Sequence, residues 1–150
     1  GGGDLMPVKI DVTITGPLFN GQGTKQNIRR WGLRMVQQCI EAGEQRLDMM
    51  LRPRSAPLGV YLTHAQAGRG KASTGHYRRN VHGFQIGLFG RISDGGVVYG
   101  PWLEGTSSRN KTTRFKGYRS FRRTHQWINK NKAKIIRPII NLMERDLGGG

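Results

Sequence analysis

Acidic residues, cysteine and long hydrophobic runs are all scarce in this sequence of 150 residues. Only nine Asp and Glu are present, and none of them forms a spaced pair suited to two-carboxylate catalysis. The single cysteine, Cys39, excludes an intrachain disulfide and a cysteine-rich zinc site. Because Cys39 lies within an amphipathic pattern, we expect it to behave as a small buried apolar side chain.

No apolar run approaches the roughly 20 residues that a membrane-spanning helix needs. No signal-peptide pattern is present either. We therefore expect a soluble chain that is made in a reducing cytoplasm and has no membrane partner.

Positive charge is abundant. The 25 Lys and Arg give a formal net charge of +16, which implies a polyanionic neighbour such as nucleic acid, an acidic protein face or a membrane surface. A general basic bias of the host proteome is the alternative explanation. The clustering of the charge favours a specific partner.

The periodicity predicts an α+β fold, in which a small antiparallel sheet packs with a long N-terminal helix and a C-terminal helix, together with an extended basic loop. Residues 8–14 alternate as a strand, and helical spacing runs from a cap at Thr24 to Arg52. A short strand is possible at 58–63. Residues 81–89 and 90–99 resemble a hairpin with Asp94-Gly95 as its tight turn and with Phe84, Ile86 and Leu88 alternating.

The last helix is predicted to begin near Ser120 or Thr124, with a kink or break at Pro138. Glycines 83, 87 and 90 predict bulges or close backbone approach on the outer face of the hairpin. The length fits one domain, residues 4–147, from which the glycine tails 1–3 and 148–150 are excluded.

Residues 98–106 form an aromatic, turn-rich stretch with one acid, Glu104. The stretch runs into residues 107–123, which hold seven Arg or Lys and no Asp or Glu; we call this the basic segment. Phe115, Tyr118 and Phe121 recur within it at every third position. Two uses of these aromatic rings are open: packing the segment against the domain, which we favour, or stacking on exposed bases.

Catalytic sites are not indicated. The four histidines, His64, His76, His82 and His125, have no partner at metal-ligand spacing. The loop 68–74 resembles a phosphate loop but fails its spacing. We expect no enzyme activity, no catalytic residue, no metal and no cofactor.

Two short motifs carry a family resemblance. Residues 99–106, read Tyr-Gly-Pro-Trp-Leu-Glu-Gly-Thr and followed by the basic segment, resemble neck and tail-completion proteins of tailed bacteriophages. Residues 74–81, a Thr-Gly pair followed by an aromatic residue, arginines and a β-branched residue, resemble a second signature of the same family. The order of predicted elements fits over about residues 24–145.

The resemblance implies a structural virion protein: a neck, tail-completion or tail-terminator subunit that forms a ring, a hexamer in that family, and joins head to tail around the DNA channel. Its partners would be copies of itself, head-completion or connector proteins and tail-tube proteins, after assembly in the host cytoplasm. In this interpretation Glu104 pairs with an arginine, for which the basic segment is one source, and Trp102 packs beneath it; a plain core position is the alternative for Trp102. The residues expected at the contact between subunits are Tyr99, Trp102, Glu104, Arg114, Phe115, Lys116, Tyr118 and Arg119.

Nonspecific contact with DNA in the channel is a further expectation, because a run of cations can neutralise phosphates. The cations expected to face DNA are Arg109, Lys111, Arg122, Arg123, Lys130 and Lys134. The alternative function is a nonspecific nucleic-acid-binding protein of a cytoplasmic particle.

Overall fold

The computed structural model describes residues 7–14, 26–61 and 75–148. The predicted helix cap at Thr24, His64 and the loop 68–74 lie outside these residues. The elements, in chain order, are β1 (Lys9–Thr13), α1 (Gln26–Met50), α2 (His76–Arg79), β2 (His82–Ile86), β3 (Phe89–Ser93), α3 (Gly100–Glu104), α4 (Ser108–Thr112) and α5 (Ser120–Gly148).

The three strands form an antiparallel sheet in the order β1-β3-β2. The predicted α+β architecture is therefore confirmed, with the sheet packed against the two long helices. The hairpin turn is at Gly87-Leu88, and Gly87 adopts a positive φ of 57° that glycine tolerates well. The prediction that Asp94-Gly95 makes this turn is wrong, because Asp94 follows β3 and its side chain is buried.

One face of the sheet packs on the helices. The β1 side chains Val8, Ile10, Val12 and Ile14 are buried there, as their alternation predicts. In the β2–β3 hairpin, however, the positions that face the helices include Gly83 and Gly90. A Cβ at Gly90 would lie 2.4 Å from Ile40 Cδ1, and one at Gly83 would lie 2.3 Å from Ile40 Cγ2. At Gly83 and Gly90, helix α1 thus approaches the hairpin so closely that a Cβ would collide with Ile40, as the close approach predicted from these glycines requires.

The glycines therefore lie on the inner face of the hairpin, and the predicted outer position is wrong. Since side chains alternate along a strand, Phe84 and Ile86 point to solvent, with 44% and 68% of their surface exposed. The outer face of the sheet has no covering element among the described residues.

Helices α1 and α5 run antiparallel. The hydroxyl of Thr124 donates to Met50 Sδ at one end of the pair, and Trp31 Nε1 donates to Asp146 Oδ2 at the other. Their facing sides supply much of the core, and Cys39 is fully buried there as predicted. Burial raises the pKa of the Cys39 thiol. The buried apolar residues of the two helices include Met35, Val36, Ile40, Leu47, Phe121, Ile128, Ile139 and Met143.

The break predicted at Pro138 and the possible strand at 58–63 are not found among the described residues. Helix α5 continues through Pro138 without a break. Pro138 and Lys134 are both exposed, so water can satisfy the Lys134 carbonyl that the proline leaves without a donor. Residues 58–61 do not form a strand: Tyr61 makes one isolated parallel bridge with Pro53. Within the described residues, neither long helix has a stretch apolar enough to cross a membrane.

Candidate interaction site

The stretch 99–106 forms a short helix rather than a turn. Tyr99 precedes α3, and Pro101 stands in its first turn, where its missing N–H costs nothing. The Pro101 carbonyl accepts from the N–H groups of Gly105, Thr106 and Ser107 at 2.9, 2.9 and 3.2 Å. Gly105 ends the helix with a φ of 100°, in the left-handed conformation that favours glycine.

Glu104 caps the helix that follows. Its carboxylate oxygens Oε1 and Oε2 accept from the backbone N–H groups of Phe121 and Arg122, each at 2.9 Å, and the side chain is buried. The predicted pairing of Glu104 with an arginine is therefore wrong, because both oxygens are bound at the start of α5. Burial raises the pKa of the Glu104 carboxyl, although the two N–H groups act to lower it.

The basic segment folds back on α3 instead of extending from the domain. The Tyr118 N–H donates to the Leu103 carbonyl, and Gly117 lies directly against Gly105, where any Cβ would collide with backbone atoms. The chain between these contacts is thus a compact loop whose ends meet, of the kind called an Ω-loop.

Asn110 holds this loop from inside. Its side-chain amide donates to the carbonyls of Trp102 at 3.1 Å and Phe115 at 3.0 Å. Its Oδ1 accepts from the Ser107 N–H at 3.0 Å, which completes a capping box at the start of α4. The sequence analysis missed this residue, although the Ser-x-x-Asn spacing at 107–110 is the signal that could have found it.

The aromatic residues of the segment pack internally. Ring centroids are 5.0 Å apart for Trp102 and Phe115, 4.9 Å for Phe115 and Tyr118, and 4.5 Å for Tyr118 and Tyr61. The structure therefore favours packing over base stacking for Phe115 and Tyr118. Trp102 is half-buried within this row of rings, rather than beneath Glu104 in the core.

The cations divide into two groups. Two are engaged within the chain: the Arg109 guanidinium lies 4.9 Å from the centre of the Trp102 ring, and Lys116 Nζ donates to the Asn110 carbonyl at 2.8 Å. The others are exposed and have no side-chain hydrogen bond or ion pair with a described residue. This second group consists of Lys111, Arg114, Arg119, Arg122, Arg123, Lys130 and Lys134.

A buried carboxylate joins the two motifs of the resemblance. Asp94 accepts from the Tyr77 hydroxyl at 2.9 Å and from the Val8 and Gly96 N–H groups at 3.2 and 2.9 Å. Tyr77 comes from the 74–81 motif, and Gly100 of the 99–106 motif packs so closely on Asp94 that a Cβ there would collide with Oδ2. Burial, followed by the charge of Asp94, raises the pKa of Tyr77 far above its usual range.

No protein-family model, curated protein or solved structure matches this chain. The two short motifs and the geometry around them are therefore the basis for a functional proposal.

Other polar groups form local contacts. The Asp48 carboxylate accepts from Arg52 Nη2, four residues later in the chain, and from Arg78 Nε, each at 2.6 Å. Glu41 accepts from Gln37 at 3.2 Å. Within the described residues, no three His, Cys, Asp or Glu side chains are grouped so as to hold a metal ion.

Proposed function

We propose that the chain is a ring-forming structural subunit in the neck of a tailed bacteriophage, where it joins head to tail around the DNA channel. The observation that carries the proposal is the edge strand β2, which has no further strand beside it among the described residues and presents Phe84 and Ile86 to solvent. Exposed apolar side chains on an open strand edge are typical of a surface that another chain covers.

The backbone of β2 also has free hydrogen-bonding groups. Contacts of Val8 with Asp94 and of Ile14 with Leu88 show that even-numbered residues of β3 bond to β1. The odd-numbered residues of β3 therefore bond to β2, and the N–H and C=O groups of Gly83 and Gln85 point away from the sheet. A neighbouring copy that docks at this edge would satisfy them.

Charge indicates which part of the neighbour docks there. Glu44 of α1 lies beside the edge, since a Cβ at Gly83 would be 2.9 Å from its Oε1, and Glu41 is exposed one turn earlier. The basic segment presents Arg114 and Arg119 on a different surface of the same chain. Contact between the acidic edge of one copy and the basic segment of the next joins two unlike surfaces, and such head-to-tail contacts close into a ring when the rotation permits.

The family resemblance is the basis for proposing a ring in the phage neck rather than another kind of ring. Its two motifs meet around Asp94, through Tyr77 and Gly100, and this cluster fixes the base of the basic segment. A rigid base is what a segment that docks on a neighbour requires, because less ordering entropy is lost on binding.

Native mass spectrometry of the purified chain tests the ring. We expect a closed ring of identical subunits, a hexamer if the family resemblance holds, and we expect the chain in purified virions. The double variant Phe84→Lys, Ile86→Lys should give folded monomers, because it removes the apolar contact and places positive charge where the basic segment is proposed to dock.

Leu142→Lys is the matched control. Leu142 is also a partly exposed apolar residue, with 39% of its surface accessible, but it lies on α5 away from β2. The ring should survive this change. A wild-type chain that stays monomeric at all concentrations and is absent from particles would refute the proposal.

A further inference from the structure

Helix α5 carries a straight line of cations on its exposed side. At 3.6 residues per turn, Arg123, Lys130, Lys134 and Arg137 fall within an arc of about 60° and span about 21 Å along the helix axis. All four side chains are exposed. We call these four residues the α5 stripe.

The stripe has no acid beside it. Helix α5 contains no Asp or Glu before Glu144, and the residues next to the stripe include Gln126, Ala133 and Asn141. Within the described residues, none of the four cations makes a side-chain hydrogen bond or ion pair. This distinguishes them from Lys132 on the same helix, whose Nζ donates to the Thr13 carbonyl at 2.9 Å.

A linear polyanion fits this surface better than an acidic protein does. Protein interfaces usually have an apolar centre that excludes water, whereas the large apolar side chain beside the stripe, Trp127, is half-buried and lies under the Arg46 guanidinium. Double-stranded DNA carries one charge per about 1.7 Å of its axis, and cations that replace its condensed counterions gain free energy by releasing them. A row of like charges without hydrophobic anchors is suited to that interaction.

The aromatic residues of the basic segment favour duplex over single-stranded nucleic acid as the partner. Proteins that bind single strands stack bases on exposed rings, whereas Phe115 and Tyr118 pack tilted or edge-on against rings of this chain. We propose that the α5 stripe binds the phosphodiester backbone of double-stranded DNA without regard to sequence. The contact is a property of the single subunit and does not depend on the proposed ring.

Fluorescence anisotropy with a short duplex of mixed sequence tests the proposal at several salt concentrations. The stripe variant replaces all four cations by Gln. We expect it to bind at least about tenfold more weakly, and the slope of log affinity against log salt to fall by about four, one for each lost phosphate contact.

The control variant replaces Arg29, Arg30, Arg34 and Arg54 by Gln, which removes the same charge from exposed positions outside the stripe. Circular dichroism confirms that each variant is folded. We expect the control to keep most of the affinity and the slope, and Lys130→Arg with Lys134→Arg to bind as the wild type does.

Three outcomes would overturn the proposal. Equal losses in the stripe and control variants would show that net charge alone attracts DNA. Tighter binding to single-stranded DNA than to the duplex would contradict the proposed preference for double-stranded DNA. Stronger, stripe-dependent binding to polyglutamate would identify an acidic protein as the partner. A monomeric mass with intact DNA binding would refute the ring and leave the stripe unaffected.

Discussion

Glu104 shows how one side chain can determine two elements. It is the last residue of α3, and its carboxylate fixes the first turn of α5 by accepting from two backbone N–H groups there. The first N–H groups of a helix have no partner within the helix, and a negative charge near them is favourable. The cost is the burial of a carboxylate, which is why the pKa of Glu104 is raised.

The raised pKa has a definite sign in a pH titration. The contribution of Glu104 to stability is fully present below its ordinary pKa of 4.5 and is lost as the pH rises through the raised folded-state value. We expect the unfolding free energy of the wild type, relative to Glu104→Gln, to decrease as the pH rises above the ordinary pKa of 4.5 and through the raised folded-state pKa. Urea denaturation at several pH values measures this difference.

Glu104→Ala serves as the comparison, because alanine removes both hydrogen bonds. It should destabilise the chain by about 1–2 kcal/mol, as loss of a helix cap does. A wild-type advantage over Glu104→Gln that grows with pH would show that the two N–H groups outweigh burial.

At the scale of elements, the basic segment is a closed loop fixed by internal contacts. Asn110 is buried and bonds to carbonyls on both sides of the loop. Lys116 adds bonds to the carbonyls of Asn110 and Lys111 at 2.8 and 3.3 Å. The loop therefore presents its remaining cations from a rigid support.

Asn110→Ala should open this loop. Loss of the side chain removes the amide donor from the part-buried carbonyls of Trp102 and Phe115, and Phe115 keeps only the Thr113 hydroxyl at 3.3 Å, at a cost of about 1–3 kcal/mol. Hydrogen–deuterium exchange should increase over residues 107–118 and remain slow in α1. Lys111→Ala, an exposed change on the same short helix, should have no such effect; an equal increase in Lys111→Ala would contradict the role of Asn110.

The sequence predicts best the elements in which burial against the core alone determines the apolar pattern. In β1, α1 and α5 the apolar period reflects burial against a single core, so class and approximate bounds follow from it. In the β2–β3 hairpin the period is misleading, because close approach of α1 selects Gly83 and Gly90 for the inner face and leaves Phe84 and Ile86 outside. The glycines signal a close approach, but which element approaches, and on which face, is a tertiary property with no local signal.

The candidate site was predicted only in part, because many of its contacts are also tertiary. The sequence identifies the basic segment and its aromatic residues, but their partners are distant in the chain. Tyr61 and Tyr118 are 57 positions apart and meet with ring centroids 4.5 Å apart. Likewise, nothing local distinguishes Lys116, which bonds to carbonyls, from Arg114, which faces solvent.

At the scale of the whole molecule, electrostatic repulsion opposes the fold. The net charge is +16, and the ion pairs seen in the described residues involve only Asp11 and Asp48 as acids. The Debye length is about 10 Å at 0.1 M salt. Exposed cations that are farther apart than the Debye length are screened from each other. The stability of the free chain should therefore depend on ionic strength.

Starting from low ionic strength, we expect the Tm to rise as sodium chloride is added and to level off at about 0.3 M. Differential scanning fluorimetry measures this change. The stripe variant, with four fewer cations, should show a smaller rise. Chloride is the appropriate anion, since sulfate stabilises proteins by exclusion from their surface. A Tm that falls with chloride would contradict the repulsion argument.

The two edges of the sheet differ in a way that limits how copies can join. Edge β1 carries Lys9 and Asp11, and Lys132 of α5 donates to its Thr13 carbonyl, whereas the outward side chains of β2 include Phe84 and Ile86. Charged edges discourage strand addition. A further strand can therefore be added at β2 but not at β1. Copies of this chain cannot extend one sheet indefinitely, which protects the fold against fibre growth and leaves the β2 edge available.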